Sequence, residues 1–188
     1  MEIKTEKSFL YKTQFSNINL LGKCIKYVAD KLEERPKIIV YGRECRQNRS
    51  IGFFSNDVDR YNYSNSYMIA QELDSNLSEL LNLVNTLTDN NFNGILINFY
   101  KDGNQSIGAH SDNELELGNN GVVSISYGTN RKFRIREKPT NKIFKDIELK
   151  NGDMVHMGGN FQKEFLHEIP VQKKIKEYRY SFTFRRHL

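Results

Sequence analysis

The sequence predicts an α+β fold: a β-sandwich or jelly roll with helices buttressing one face. Three observations carry that reading. Two early segments place apolar residues at helical spacing. From Asn93 onward the apolar period falls to two. The alternating segments are short and regularly interrupted by turn residues, as in sandwiches and jelly rolls. Helices first and strands after make the class α+β rather than α/β. The 188 residues suffice for one domain with a sizeable core. A single domain over 1–188 is expected, with 36–92 as an N-terminal extension and 93–188 as the strand-rich core.

Taken in order, the first element is a helix. Ile18, Leu21, Ile25, Val28 and Leu32 form one apolar stripe, which must stop before Pro36 because the residue ahead of proline avoids helical geometry. Ile38 to Tyr41 reads as a strand. Residues 42–66 are polar, basic and aromatic and read as loop or short strand. A second helix carries Leu77, Leu80, Leu81 and Val84, with Asp74 or Ser75 as its N-cap. Strands follow around Ile95–Phe99, Val123–Tyr127, Phe133–Ile135, Ile143–Leu149, Met154–Met157 and Arg179–Arg185.

The formal net charge of +5 and a pI of about 9.1 favour an anionic partner, nucleic acid first among them. The two cysteines, Cys24 and Cys45, form no CxxC pair, which argues against a zinc or disulfide framework and for reduced thiols. No apolar run is long enough for a membrane span, and the N-terminus lacks the apolar core of a signal peptide. A soluble intracellular monomer without membrane contact is expected, the nucleus and the cytoplasm both remaining open.

Chemistry concentrates in the second half. His110 and Asp112 are two apart in an extended stretch, so their side chains share a face. Two imidazoles and a carboxylate can hold iron on one side and leave its other positions open. A third ligand must come from elsewhere. His167 is preferred, His156 is the alternative, and His187 is set aside as terminal. On Arg179–Arg185, the residues Arg179, Ser181, Thr183 and Arg185 share one face, and Tyr180, Phe182 and Phe184 share the other. Paired arginines can clamp the carboxylates of an organic co-substrate. Asn98 and Tyr100 form a second polar pair able to complete its hydrogen bonding.

These motifs, in this order, resemble the AlkB family of Fe(II)- and 2-oxoglutarate-dependent dioxygenases. Asn98-Phe99-Tyr100-Lys101-Asp102-Gly103, Ile107 through Glu114, Ser124 through Gly128 and Met157-Gly158-Gly159 look especially like the branch that repairs duplex DNA. The similarity spans roughly residues 36–186. It implies a double-stranded β-helix (jelly roll) with a nucleotide-recognition lid in the N-terminal extension, and oxidative demethylation of N1-methyladenine and N3-methylcytosine, with O2 as co-substrate. It implies Fe(II) on His110, Asp112 and His167. It implies 2-oxoglutarate held by Asn98, Tyr100, Arg179, Ser181, Thr183 and Arg185, with Arg179 on the distal carboxylate and Arg185 near the iron-bound end. The family usually carries Asn where this chain has Ser181, a shorter side chain with fewer hydrogen bonds.

The resemblance also implies that Glu114 contacts the damaged base, that Tyr63 stacks on it opposite His110, and that Tyr61 lines the same pocket. Both lesions are cationic, and a desolvated carboxylate attracts them well above a neutral base. Aromatic walls offset part of the cost of extruding a base. Arg43, Arg46, Arg49, Arg131, Lys132, Arg134, Lys173, Lys174 and Lys176 are candidates for gripping phosphates. DNA ranks ahead of RNA as substrate. The remaining alternative is a hydroxylase of a protein or small molecule.

Overall fold

The computed structural model describes residues 1–40, 42–63, 66–112 and 121–188, with the side chains at 40, 62, 63 and 66 outside that description. The described strands build a seven-stranded and a four-stranded antiparallel sheet, and the two longer helices lie against the outer face of the larger one. This is the jelly-roll arrangement with buttressing helices that the sequence predicts.

The larger sheet runs β1 (Ile3–Lys4), β2 (Ser8–Gln14), β13 (Asp153–Gly159), β10 (Val122–Gly128), β15 (Arg179–Arg185), β8 (Gly94–Tyr100), β5 (Ser50–Phe54). The smaller runs β12 (Ile143–Leu149), β11 (Arg131–Glu137), β14 (Phe165–Ile169), β9 (Ile107–His110). Two hairpins, β3–β4 (Lys37–Val40, Arg43–Arg46) and β6–β7 (Arg60–Tyr63, Ser66–Ile69), stand apart from both.

Helix α1 (Ile18–Val28) buries Leu20, Leu21, Cys24 and Val28. It ends seven residues before Arg35, which takes a left-handed φ of 47°, and Leu32 still packs on the core from outside the helix. Helix α2 (Ser75–Thr88) starts where Asp74 Oδ1 accepts the Leu77 N–H at 2.8 Å, a side-chain cap of the ordinary kind. Its Leu77, Leu80, Leu81 and Val84 meet Ile95, Ile97, Val123, Ile125, Phe182 and Phe184 from the sheet. The other face of the sheet closes on β11, β12 and β14 through Leu10, Val122, Phe133, Ile135, Met157 and Phe165. The three layers leave a polar pocket between the two sheets.

One expectation needs correction. The first element is not a helix: β1 and β2 precede it, and β2 pairs with β13 over its whole length. Apolar residues on both of its faces (Leu10 inward, Phe9 against His156) blur the period-two signal. The stretch 42–66 takes the short-strand alternative: it holds β4, β5 and β6, and β5 is buried at every position and pairs with β8. Residues 165–169, which the sequence reading does not assign to a strand, form β14, with Phe165, His167 and Ile169 turned inward. A four-residue helix, α3 (Phe161–Glu164), leads into it.

Candidate active site

Strands β9 and β14 are antiparallel neighbours, and their register sets His110 opposite His167. Directly opposed residues project from the same face. Two imidazoles far apart in the chain therefore meet, with ring centroids 4.3 Å apart. Asp112, just past β9, returns to that side. Its Oδ1 lies 3.7 Å from His110 Nε2 and its Oδ2 lies 3.6 Å from His167 Nε2. One ligand atom from each of the three falls within 4.8 Å of the other two. His156 is excluded: its ring packs edge-on against Phe9.

The protonation states suit a metal. Burial pushes His167 down to about 3, and His110 adds to that shift. Burial also lowers His110, against the pull of Asp112. Both rings are neutral near pH 7, the form that ligates metals. The Gly108 carbonyl accepts a hydrogen bond from His110 Nδ1 at 2.9 Å, which leaves the Nε2 lone pair facing Asp112. For Asp112, burial raises the carboxyl, but Arg185, with His167 and His110, more than reverses this and keeps it ionised.

Strand β15 runs through the middle of the larger sheet and behaves as its alternation predicts. Tyr180, Phe182 and Phe184 enter the helix-side core. Arg179, Ser181, Thr183 and Arg185 line the pocket on the other side, alongside Asn98, Tyr100 and the His–Asp–His group. Arg185 donates from Nη2 to Asp112 Oδ1 at 2.5 Å and from Nη1 to Tyr61 Oη at 2.6 Å.

Arg179 is 1% exposed, with its guanidinium 5.5 Å from the Tyr100 ring centre and Nη2 donating to Ser126 Oγ at 2.9 Å. Its Nε and Nη1 are buried and meet no hydrogen-bond partner among the described residues. Burial lowers its pKa to about 10, so it stays charged at neutral pH. A buried cation with unmet donors is costly, and a carboxylate in the pocket would satisfy it. Three lining guanidiniums (Arg49, Arg179, Arg185) face a single carboxylate, Asp112, among the described lining residues. That imbalance suits a dianion.

Several sequence-predicted residues take other places. Arg49 does not reach outward for phosphate; it is buried in the pocket wall and donates from Nε to Asn98 Oδ1 at 2.6 Å. Tyr61 offers no face to an extruded base. It is fully buried between Phe53 (5.4 Å) and His187 (5.0 Å) and holds Arg185. His187 is not frayed: it is buried, and its N–H donates to Asn93 Oδ1. Ser181 faces Ser124 Oγ at 2.9 Å on the pocket floor. Glu114 and the Tyr63 side chain lie outside the described residues.

Of the basic candidates, Arg131 is buried and donates to the carbonyls of Asp102, Gln105 and Pro170, tying together two loops near Tyr100. Gly103 sits in that junction, where a Cβ would run into the Gln172 carbonyl. Lys132 and Arg134 are both paired with Asp146. Arg43, Arg46, Lys173, Lys174 and Lys176 remain exposed. Sequence reasoning missed Ser126 and the burial of Arg49. The alternation of Ser124 and Ser126 with Val123 and Ile125 was the available signal for Ser126.

A pH dependence follows for the metal-free protein. His167 (about 3) and His187 (about 4, through burial and then Arg185) sit below the ordinary imidazole value of 6.5. Below 6.5 the unfolded chain takes up protons that the fold refuses, so stability is complete above that pH and declines as pH falls toward 4. The urea midpoint should drop across that window, and His187→Phe should shallow the slope. An unchanged slope in that variant would remove His187 from the account.

A family model described as the 2OG-Fe(II) oxygenase superfamily matches residues 8–185. Among curated proteins, rat "Alpha-ketoglutarate-dependent dioxygenase alkB homolog 3" is 36% identical over 107 residues, covering 52% of this chain and 36% of the relative. Bovine "DNA oxidative demethylase ALKBH2" is 33% identical over 118 residues, covering 58% and 42%. The protein of that name from Arabidopsis thaliana is 28% identical over 178 residues, covering 80% and 57%. The chain thus spans between about a third and three fifths of these relatives' lengths. The solved structure of OsALKBH1 superposes over all of both chains with a TM-score of 0.65 at 14% identity, a likeness of fold.

Proposed function

The chain belongs to the 2OG-Fe(II) oxygenase superfamily, in its AlkB family, and on that premise we propose that it oxidatively demethylates N1-methyladenine and N3-methylcytosine in DNA. The observation that carries the proposal is the meeting, in one pocket, of a His–Asp–His cluster and a buried arginine with two donors unmet among the described residues. Its similarity to proteins named DNA oxidative demethylase supports the substrate.

His110, Asp112 and His167 would hold Fe(II) on one side. Arg179, steadied by Ser126 and the Tyr100 ring, would take the distal carboxylate of 2-oxoglutarate. Arg185, fixed between Asp112 and Tyr61, closes the metal end of the pocket, and Arg49 orients Asn98 toward the same co-substrate. Ser181 and Thr183 line the floor. When bound, the iron and co-substrate supply the oxidising power that hydroxylates the N-methyl carbon, and the hydroxymethyl base then releases formaldehyde. The protein's own part is to orient the reactants and exclude water. Glu114 and Tyr63 are the proposed contacts to the extruded cationic base. Exposed Arg43, Arg46, Lys173, Lys174 and Lys176 are the proposed phosphate contacts.

Formaldehyde release from matched N1-methyladenine and N3-methylcytosine oligonucleotides tests this, with DNA and RNA in single- and double-stranded forms, with and without Fe(II). Iron- and 2-oxoglutarate-dependent release from DNA is expected. Faster release from RNA would move the substrate to RNA. Succinate production indifferent to methylated nucleic acid would instead indicate a hydroxylase of protein or small molecules.

A further inference from the structure

Helix α3 has no part in the chemistry described so far, yet it reaches the metal cluster from behind. Gln162 Oε1 accepts the backbone N–H of Asp112 at 2.9 Å. Lys138, one residue past β11, donates from Nζ to Ser111 Oγ at 2.9 Å and to the Gln162 carbonyl at 3.1 Å. The Lys138 N–H is itself held by the Glu164 carbonyl at 2.9 Å. Glu164 Oε2 accepts from Ser8 Oγ at 2.5 Å and from Thr5 Oγ1 at 3.1 Å, and the Asn160 N–H meets the Lys7 carbonyl at 2.8 Å. The chain's first strands therefore anchor α3, and α3 anchors the backbone that bears the carboxylate.

The anchoring has a geometric consequence. Asp112 lies beyond the end of β9, so the strand ladder does not fix its backbone. His167 lies three residues after α3, inside β14. One side chain, Gln162, thus sets the Asp112 backbone against the segment that carries His167. A carboxylate ligand held this way needs little reordering when a cation arrives, and outer contacts of this kind are worth about 10–100-fold in metal affinity.

We propose that Gln162 is a positioning residue for the metal centre, holding Asp112 in register with His167, and that Lys138 braces the same turn. The inference rests on the ligand assignment and not on the nucleic-acid substrate. Binding of Mn(II) alone tests it, followed by the electron paramagnetic resonance signal of the free ion, beside circular dichroism of each variant. Gln162→Met keeps the volume and removes the acceptor; it should weaken Mn(II) binding about 10–100-fold with the fold intact. Gln162→Glu keeps an acceptor on the Asp112 N–H and should not show the loss seen in Gln162→Met.

Lys138→Met removes the brace while leaving the Gln162 acceptor in place, and should show an intermediate loss. This keeps the test open should Gln162→Met not fold. Wild-type affinity in Gln162→Met, or an equal loss in Gln162→Glu and Gln162→Met, would overturn the role of the acceptor. A wild-type protein that binds no Mn(II) would instead overturn the ligand assignment on which it rests.

Discussion

His110→Ala protein is expected to show wild-type circular dichroism and no measurable demethylation. His110 is partly exposed at the pocket mouth, and its replacement removes a proposed metal ligand without opening the core. Asp112→Ala should abolish turnover too, but not as quietly. Asp112 is the carboxylate partner of Arg185 in a site where both are buried. Removing one member of such a pair leaves the other charge uncompensated, at a cost of about 3–5 kcal/mol. Turnover should therefore vanish in both variants, with urea midpoints near wild type for His110→Ala and clearly lowered for Asp112→Ala. Persistent turnover in folded His110→Ala would remove the residue from the metal site; equal midpoints would show that Arg185 does not depend on Asp112.

Arg179→Ala should raise the half-saturating 2-oxoglutarate concentration steeply. The guanidinium is fully buried, charged and, among the described residues, short of two acceptors, so it has more to give a carboxylate than a surface arginine has. Truncating one partner of a buried charge-assisted pair costs about 2–5 kcal/mol, or roughly thirtyfold to a few thousandfold in binding. Arg179→Lys keeps the charge but loses the forked geometry, so it should fall between the two. Mn(II) affinity should change little in either variant, because Arg185 and not Arg179 touches the metal carboxylate. An unaltered 2-oxoglutarate titration in Arg179→Ala would place the distal carboxylate elsewhere.

Much of the site is legible in the chain because strand geometry is local. Period-two alternation on β15 is enough to divide four pocket residues from three core aromatics, and a two-residue spacing is enough to put His110 and Asp112 on one side. The choice between His156 and His167 is not local. It depends on β14 pairing with β9, and β14 is hidden because apolar Leu166 points outward and polar His167 inward, which blurs the alternation of a five-residue strand. Tyr61 and Arg49 were misplaced for a similar reason. Their composition suits a nucleic-acid surface, but Arg49, just ahead of β5, turns inward to Asn98 of β8, and Tyr61 of β6 turns inward to Arg185 of β15. His187 lies two residues past the core strand β15 and packs inward against Phe53 and Tyr61. Nearness to the terminus says little about burial when a core strand ends two residues before.

Anomalous diffraction from crystals soaked with Mn(II) and 2-oxoglutarate offers the most direct view of the proposed centre. A single strong peak within ligating distance of His110, Asp112 and His167, with the far carboxylate of the keto acid against Arg179, is the predicted result. A metal bound away from any one of these three side chains, or a carboxylate turned away from Arg179, would contradict it.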